Sequence, residues 1–195
     1  MKTLLKLLCA IVCVCLAPPM AKAQTVGIKT NLLHDAAASP NLAVEFGIAP
    51  KWTMEIGADV NWWKVHKHEY KHWLATAEAR YWLCEKFQGN FFALEVMGGQ
   101  YRVGNIPHSF NFLNNRLKGL RNERWIGWGA GAGINYGHSW VLGEHWNLEA
   151  EIGIGWIYTR YDIYSIHGNK PKLRDNKVHN YVGPTKLALN LEYIF

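Results

Sequence analysis

Ionisable side chains set two apart along the chain are the first candidates for chemistry. Glu78 and Arg80 have that spacing, as do Glu149 and Glu151, and Glu55 lies four residues before Asp59. In an extended strand, residues i, i+2 and i+4 share one face. Lys29, Glu45, Glu95, Lys186 and Glu192 occupy the same phase of their own segments, so these eleven residues define a single charged face. Paired carboxylates can divide acid and base roles when their environments differ. Enclosed together, however, they are expected to pair with Lys29, Arg80 and Lys186 as a structural network, because a buried charge needs a partner.

Three other patterns invite a catalytic reading. His68-Glu69-Tyr70-Lys71-His72 matches H-E-x-x-H. On a helix that spacing lets two imidazoles share a zinc ion while the Glu serves as base. The flanking residues alternate with period two, so the motif is expected in a loop between strands, and no third-ligand motif follows. His66, His68 and His72 could hold a metal adventitiously, but no metal or cofactor is assigned. His138-Ser139 and His108-Ser109 bring a base beside a hydroxyl. Adjacent strand residues diverge, which separates His138 from Ser139, and no carboxylate partner lies near His108-Ser109. The run Gly127–Gly133 lacks the helix that a dinucleotide loop requires.

The elements that must carry these residues follow a period of two. Leu42, Val44, Phe46 and Ile48 alternate with Asn41, Ala43, Glu45 and Gly47; Trp146, Leu148, Ala150, Ile152, Ile154, Trp156 and Tyr158 alternate with Asn147, Glu149, Glu151, Gly153 and Gly155. Such alternation describes strands with one apolar and one polar or small face. Eight strands are expected, near residues 26–33, 41–48, 52–62, 73–83, 91–103, 125–140, 146–161 and 178–195. Short connections at 49–51, 84–90 and 141–145 alternate with longer polar ones, as in barrels with short turns on one side and long loops on the other. The apolar face carries Trp or Tyr at both ends of its strands (Trp52 and Trp62, Trp73 and Tyr81, Trp146 and Trp156), the placement of two interfacial girdles. A soluble sandwich would share the strand pattern but not the girdles.

The beginning of the chain adds direction. Met1–Ala23 has Lys2 and Lys6, the apolar run Leu7–Ala17 and the small-residue end Ala21-Lys22-Ala23, the layout of a secretory leader cleaved before Gln24. Its removal leaves 172 residues, enough for one domain over residues 24–195, and a charge of +3, too mild for nucleic acid. Cys9, Cys13 and Cys15 leave with it, so Cys84 remains alone, expected to pack at a strand end, and no disulfide can form within one molecule. No apolar stretch after the leader is long enough for a membrane helix. At the other end, Leu191, Tyr193 and the terminal Phe195 continue the apolar alternation to the last residue, resembling the signal read by the barrel insertion machinery.

Thr30-Asn31-Leu32-Leu33-His34-Asp35, Asn41-Leu42-Ala43-Val44-Glu45-Phe46-Gly47, Glu78-Ala79-Arg80-Tyr81-Trp82-Leu83-Cys84 and Gly99-Gln100-Tyr101-Arg102-Val103-Gly104 resemble an uncharacterised family of Bacteroidetes outer-membrane proteins, a domain of unknown function. Its members are often encoded near fimbrial genes, and it supplies no catalytic residues. The expected fold is all-β: an eight-stranded antiparallel up-and-down transmembrane β-barrel, similar in architecture to the OmpA and OmpX type. The expected role is non-enzymatic. A monomer in the outer membrane, embedded in its lipid, presents loops for adhesion, fimbrial association or envelope integrity, with fimbrial or other surface proteins as partners. A narrow pore is the alternative, and a lipid A-modifying barrel enzyme using His138-Ser139 or His108-Ser109 the second.

Overall fold

The computed structural model describes residues 26–62, 64–65, 68–104, 111–112, 115–116, 123–165 and 174–195. Among them, eight long strands follow one another: β1 (Val26–Asn31), β2 (Asn41–Ala49), β3 (Trp52–Asn61), β4 (His68–Trp82), β5 (Gly89–Gly104), β6 (Glu123–Val141), β7 (Trp146–Ser165) and β8 (Arg174–Ile194). Two-residue strands at 64–65, 111–112 and 115–116 lie in the connections, and one short helix, α1 (Leu32–Ala36), follows β1. No helix among the described residues is long and apolar enough to cross a membrane.

Each strand pairs antiparallel with the next, from β1–β2 through β7–β8, and β1 pairs with β8. The ring is therefore closed, with up-and-down connectivity. Closure gives every strand a partner on both sides, although at the seam β1 and β8 pair only over residues 27–31 and 190–194. The seam sets Lys29 opposite Glu192 and Thr30 opposite Leu191, while the Phe195 amide reaches the Val26 carbonyl at 2.9 Å.

Parity then sorts the side chains, and the result is inverted relative to a water-soluble protein. Arg80, Glu45, Glu149 and Glu192 are fully buried, whereas Val182 is 78 %, Ile154 64 % and Leu94 63 % exposed. With eight strands the interior is just wide enough to be filled by side chains. Small residues make room where large ones intrude: a Cβ on Gly137 of β6 would stand 2.3 Å from the Phe91 ring.

The observed strands extend several expected ones. β4 begins at His68 rather than near Trp73, because residues 69–72 pair with residues 101–104 of β5. The His68–His72 motif thus forms the end of a strand and not a loop. The connection 34–40 contains α1, where Asn31 caps the helix by accepting the Leu33 amide at 3.1 Å. Cys84 lies just past the end of β4 with its side chain exposed, not packed as expected. Met1–Ala23, His66, Lys67 and His108-Ser109 are outside the described residues.

Candidate functional site

The candidate site is the interior of the ring, built in three tiers. In the middle tier Arg80 of β4 reaches across the lumen. Its Nη1 donates to Glu45 Oε2 at 3.0 Å and Glu149 Oε2 at 2.9 Å, its Nη2 to Glu151 Oε2 at 3.0 Å and its Nε to Glu78 Oε2 at 3.0 Å, while Glu55 Oε2 lies 2.7 Å from Nη2 as an ion pair. A planar guanidinium with five donors is the side chain suited to bridging carboxylates from four strands at once. Lys29 of β1 sits beside it, 2.5 Å from Glu45, 3.0 Å from Glu55, 3.3 Å from Glu149 and 3.5 Å from Glu192. Lys186 of β8 pairs with Glu78 and lies 3.2 Å from Glu151 and 3.7 Å from Glu95. Three cations thus hold seven carboxylates. Asn190 and Asn135 add amide donors to Glu149 at 2.8 Å and to Glu95 at 3.2 Å.

Below this layer, toward the short turns, the filling becomes aromatic. Trp82 packs against Phe91 in a tilted arrangement, ring centres 4.7 Å apart, and donates its indole N–H to Thr53 Oγ1 at 2.9 Å. The Arg80 guanidinium rests on the other partner, 4.7 Å from the centre of the Phe91 ring. Phe87, from the turn between β4 and β5, folds into the lumen mouth at φ 64°, a left-handed conformation costly for an aromatic residue. Its buried ring, 6.2 Å from Trp82, and its carbonyl, which accepts from Asn147 Nδ2 at 2.6 Å and Ser139 Oγ at 3.3 Å, hold it there.

Above the ion-pair layer a cavity of about 120 Å³ is lined in part by Lys29, Glu55, Asp59, Thr76, Met97 and Lys186. At its upper end Asp59 is held by two histidines, His34 Nδ1 at 2.9 Å and His72 Nε2 at 2.9 Å. Asp59 therefore belongs to a separate station and not to the Lys–Arg network in which the spacing placed it. α1 lies over this station. Thr30 Oγ1 donates to Asp35 Oδ2 at 2.6 Å and Asn41 Nδ2 to Asp35 Oδ1 at 2.9 Å, so the Thr30–Asp35 stretch folds as a cap on the β1–β2 connection.

Chemically, the middle tier is a cross-link. Every guanidinium nitrogen of Arg80 is spent on a carboxylate, and the buried Trp82, Phe87 and Phe91 lie beneath the layer. The other ten members of the charged face are where the alternation put them, all inside the ring. Phe87, Asn135 and Asn190 carry no expected role in the sequence, and Ser139 and Asn147 none in the lumen filling; the last four named share the inward phase of their strands, from which that place follows. Ser139 faces inward to Phe87, while His138 faces outward against Trp140 with its Nδ1 2.7 Å from Asn90 Oδ1, so the two do not form a base–nucleophile pair. Among the described residues no group of three His, Cys, Asp or Glu could hold a metal ion.

The outer surface is the complement. A lower belt pairs Trp52 with Tyr81 at 5.1 Å, Phe92 with Tyr136 at 5.3 Å and Trp146 with Tyr193 at 5.1 Å, and Phe195 packs on Tyr193 at 4.9 Å. Leu191 precedes them on the same phase of β8. The upper belt contains Trp62, Trp73, Trp156 and the Trp128–Tyr158 pair at 5.7 Å. Ten residues separate Trp146 from Trp156, about the length of a membrane-crossing strand.

Residues 9–195 match the family model described as a protein of unknown function (DUF3575), and the chain belongs to that family. No curated protein and no solved structure matches it.

Proposed function

We propose that this DUF3575 protein is a non-enzymatic outer-membrane β-barrel of a Bacteroidetes envelope, a monomeric scaffold with a closed lumen whose loops do the work. The observation that carries this reading is the inversion of the ring: fully buried Arg and Glu inside, aliphatic side chains more than half exposed outside, bordered by two aromatic belts. Lipid is the solvent in which that wall is stable. The leader Met1–Ala23 supports export, with cleavage before Gln24. Leu191, Tyr193 and Phe195 at the seam support recognition by the barrel insertion machinery. Adhesion, fimbrial association or envelope integrity would then be the work of the connections between β5 and β6 and between β7 and β8.

A packed lumen separates this reading from a narrow pore. Arg80 and Trp82 are both fully buried, in successive tiers. In planar bilayers the purified protein gives no steady, uniform conductance steps; reproducible channels would establish the pore instead. Replacing residues 105–122 by a short turn leaves the barrel folded, because its ladder is complete without them, and abolishes binding to surface partners.

A further inference from the structure

The wall is not equally complete at every height. β1 stops at Asn31 and β2 starts at Asn41, whereas β8 extends far above the seam. Above Asn190, β8 pairs with β7 on one side, and among the described residues no strand pairs with its other edge. That edge is finished without a strand partner. The Leu189 amide donates to Asn31 Oδ1 at 3.3 Å, Pro184 brings no N–H, and the Pro184 carbonyl accepts from the Tyr181 hydroxyl at 3.0 Å. Trp156 of the upper belt stands opposite Val182, and Ile152 at mid-height opposite Leu187. The one-sided stretch of β8 therefore leaves a window in the upper half of the wall, at hydrocarbon depth.

The cavity above the ion-pair layer reaches this window. It is lined by Glu55, Glu95 and Thr76 from inside the ring, and by Leu42 and Leu187, which lie on the outer face at 57 % and 66 % exposure. A space that touches both faces passes through the wall. Its upper end is held by Asp59 with His34 and His72, and its floor is the Arg80 layer. Inside, acceptors outnumber donors, since seven carboxylates share three cations. Glu95 Oε2 accepts from Asn135 and Glu55 Oε2 pairs with Arg80 and Lys29, but the other oxygen of each makes no hydrogen bond. Lys186 stands 3.7 Å from Glu95 Oε1 and 4.0 Å from Glu55 Oε1, drawn away by Glu78 and by Glu151 at 3.2 Å. Both acids are buried, at 3 % and 4 % exposure. A primary ammonium brings three N–H donors and one charge to such acceptors. The apolar mouth suits a chain and not a second polar group. We propose that the window admits a single-chain amphiphile from the bilayer, its ammonium head bound by Glu55 and Glu95 and its alkyl chain leaving between Leu42 and Leu187. The proposal rests on the outer wall facing lipid.

The test reconstitutes the full barrel in phosphatidylcholine vesicles containing a minor fraction of hexadecylamine or of hexadecanol. Amphiphile retained by the protein on extraction is counted by native mass spectrometry, and insertion is scored separately by the gel shift on boiling. Hexadecylamine is expected to be retained over hexadecanol by about tenfold, one molecule per barrel. Glu95→Gln brings the amine down to the level of the alcohol. Leu187→Trp, which crosses the mouth and touches no charge, lowers retention of the amine, while Leu94→Trp on the far side of the wall keeps it. Butylamine supplied in the water is not retained. Equal retention of amine and alcohol by the inserted wild-type protein overturns the head site, and unchanged retention in inserted Leu187→Trp overturns the window. Retention of butylamine at the level of hexadecylamine means that the cavity fills from water and overturns lateral entry. Failure of the wild-type protein to insert in either vesicle overturns the membrane reading and this site with it.

Discussion

The lumen and the outer wall are made from the same eight strands, on alternate residues, yet they follow opposite rules. Inside, Arg80 touches five carboxylates with no exposure at all. Outside, one residue away on the same strand, Ala79 and Tyr81 face away from it. A charge inside is stable only because its partners are fixed around it, and removing one strands the rest. An aliphatic side chain outside has no such partners, and its tolerance for change is set by the solvent that meets the wall. The difference teaches that stability here lies in specific contacts on one face and in the medium on the other. Each can be broken separately.

The largest effect is expected at the centre of the lumen. Arg80→Met leaves Glu45, Glu55, Glu78, Glu149 and Glu151 sharing only the two lysines, and should destabilise the refolded barrel by about 3–5 kcal/mol or more. Urea unfolding midpoints measure it, with the exposed Lys51→Met as the reference that stays near wild type. On the wall, Ile152→Arg sits at mid-height, between Trp146 and Trp156, where Ile152 is 58 % exposed. Facing hydrocarbon, it should cost about 2–4 kcal/mol in a lipid refolding equilibrium. The same exposed site in water would shift stability by no more than about 0.5 kcal/mol. The smallest effect belongs to packing: Gly137→Ala pushes a Cβ against Phe91 and should cost about 1–3 kcal/mol in the same urea assay. An outward substitution of similar size, Ala130→Val, should leave the midpoint within a few tenths.

Strand parity was readable from the sequence because each face of a closed barrel meets a uniform environment for its whole height. Glu45, Glu149 and Glu192 needed only their phase to be placed inside. Depth along the strand was harder. Asp59 lies four residues above Glu55, roughly 13 Å at strand rise, beyond the reach of Lys29 or Lys186, and its partners His34 and His72 come from a helix and a strand end. Neither element was visible locally. Residues 68–72 have no alternation of polarity above the belt, and they are strand because β5 pairs with them. Phe87 was hidden for a different reason: a left-handed aromatic in a short turn contradicts local preference, and only its distant contacts with Trp82, Ser139 and Asn147 hold it there. The belts, by contrast, were legible because Trp and Tyr recur at both ends of strands whose middles are aliphatic.

The central claim is that the outer wall faces the lipid of an outer membrane. Fractionation of the native envelope, followed by electrophoresis with and without boiling, tests it in one experiment. The protein is expected in the outer-membrane fraction, extractable only with detergent, and its mobility should change on boiling as the closed ring unfolds. Recovery as a soluble protein, free of detergent and with one mobility in both lanes, would contradict it.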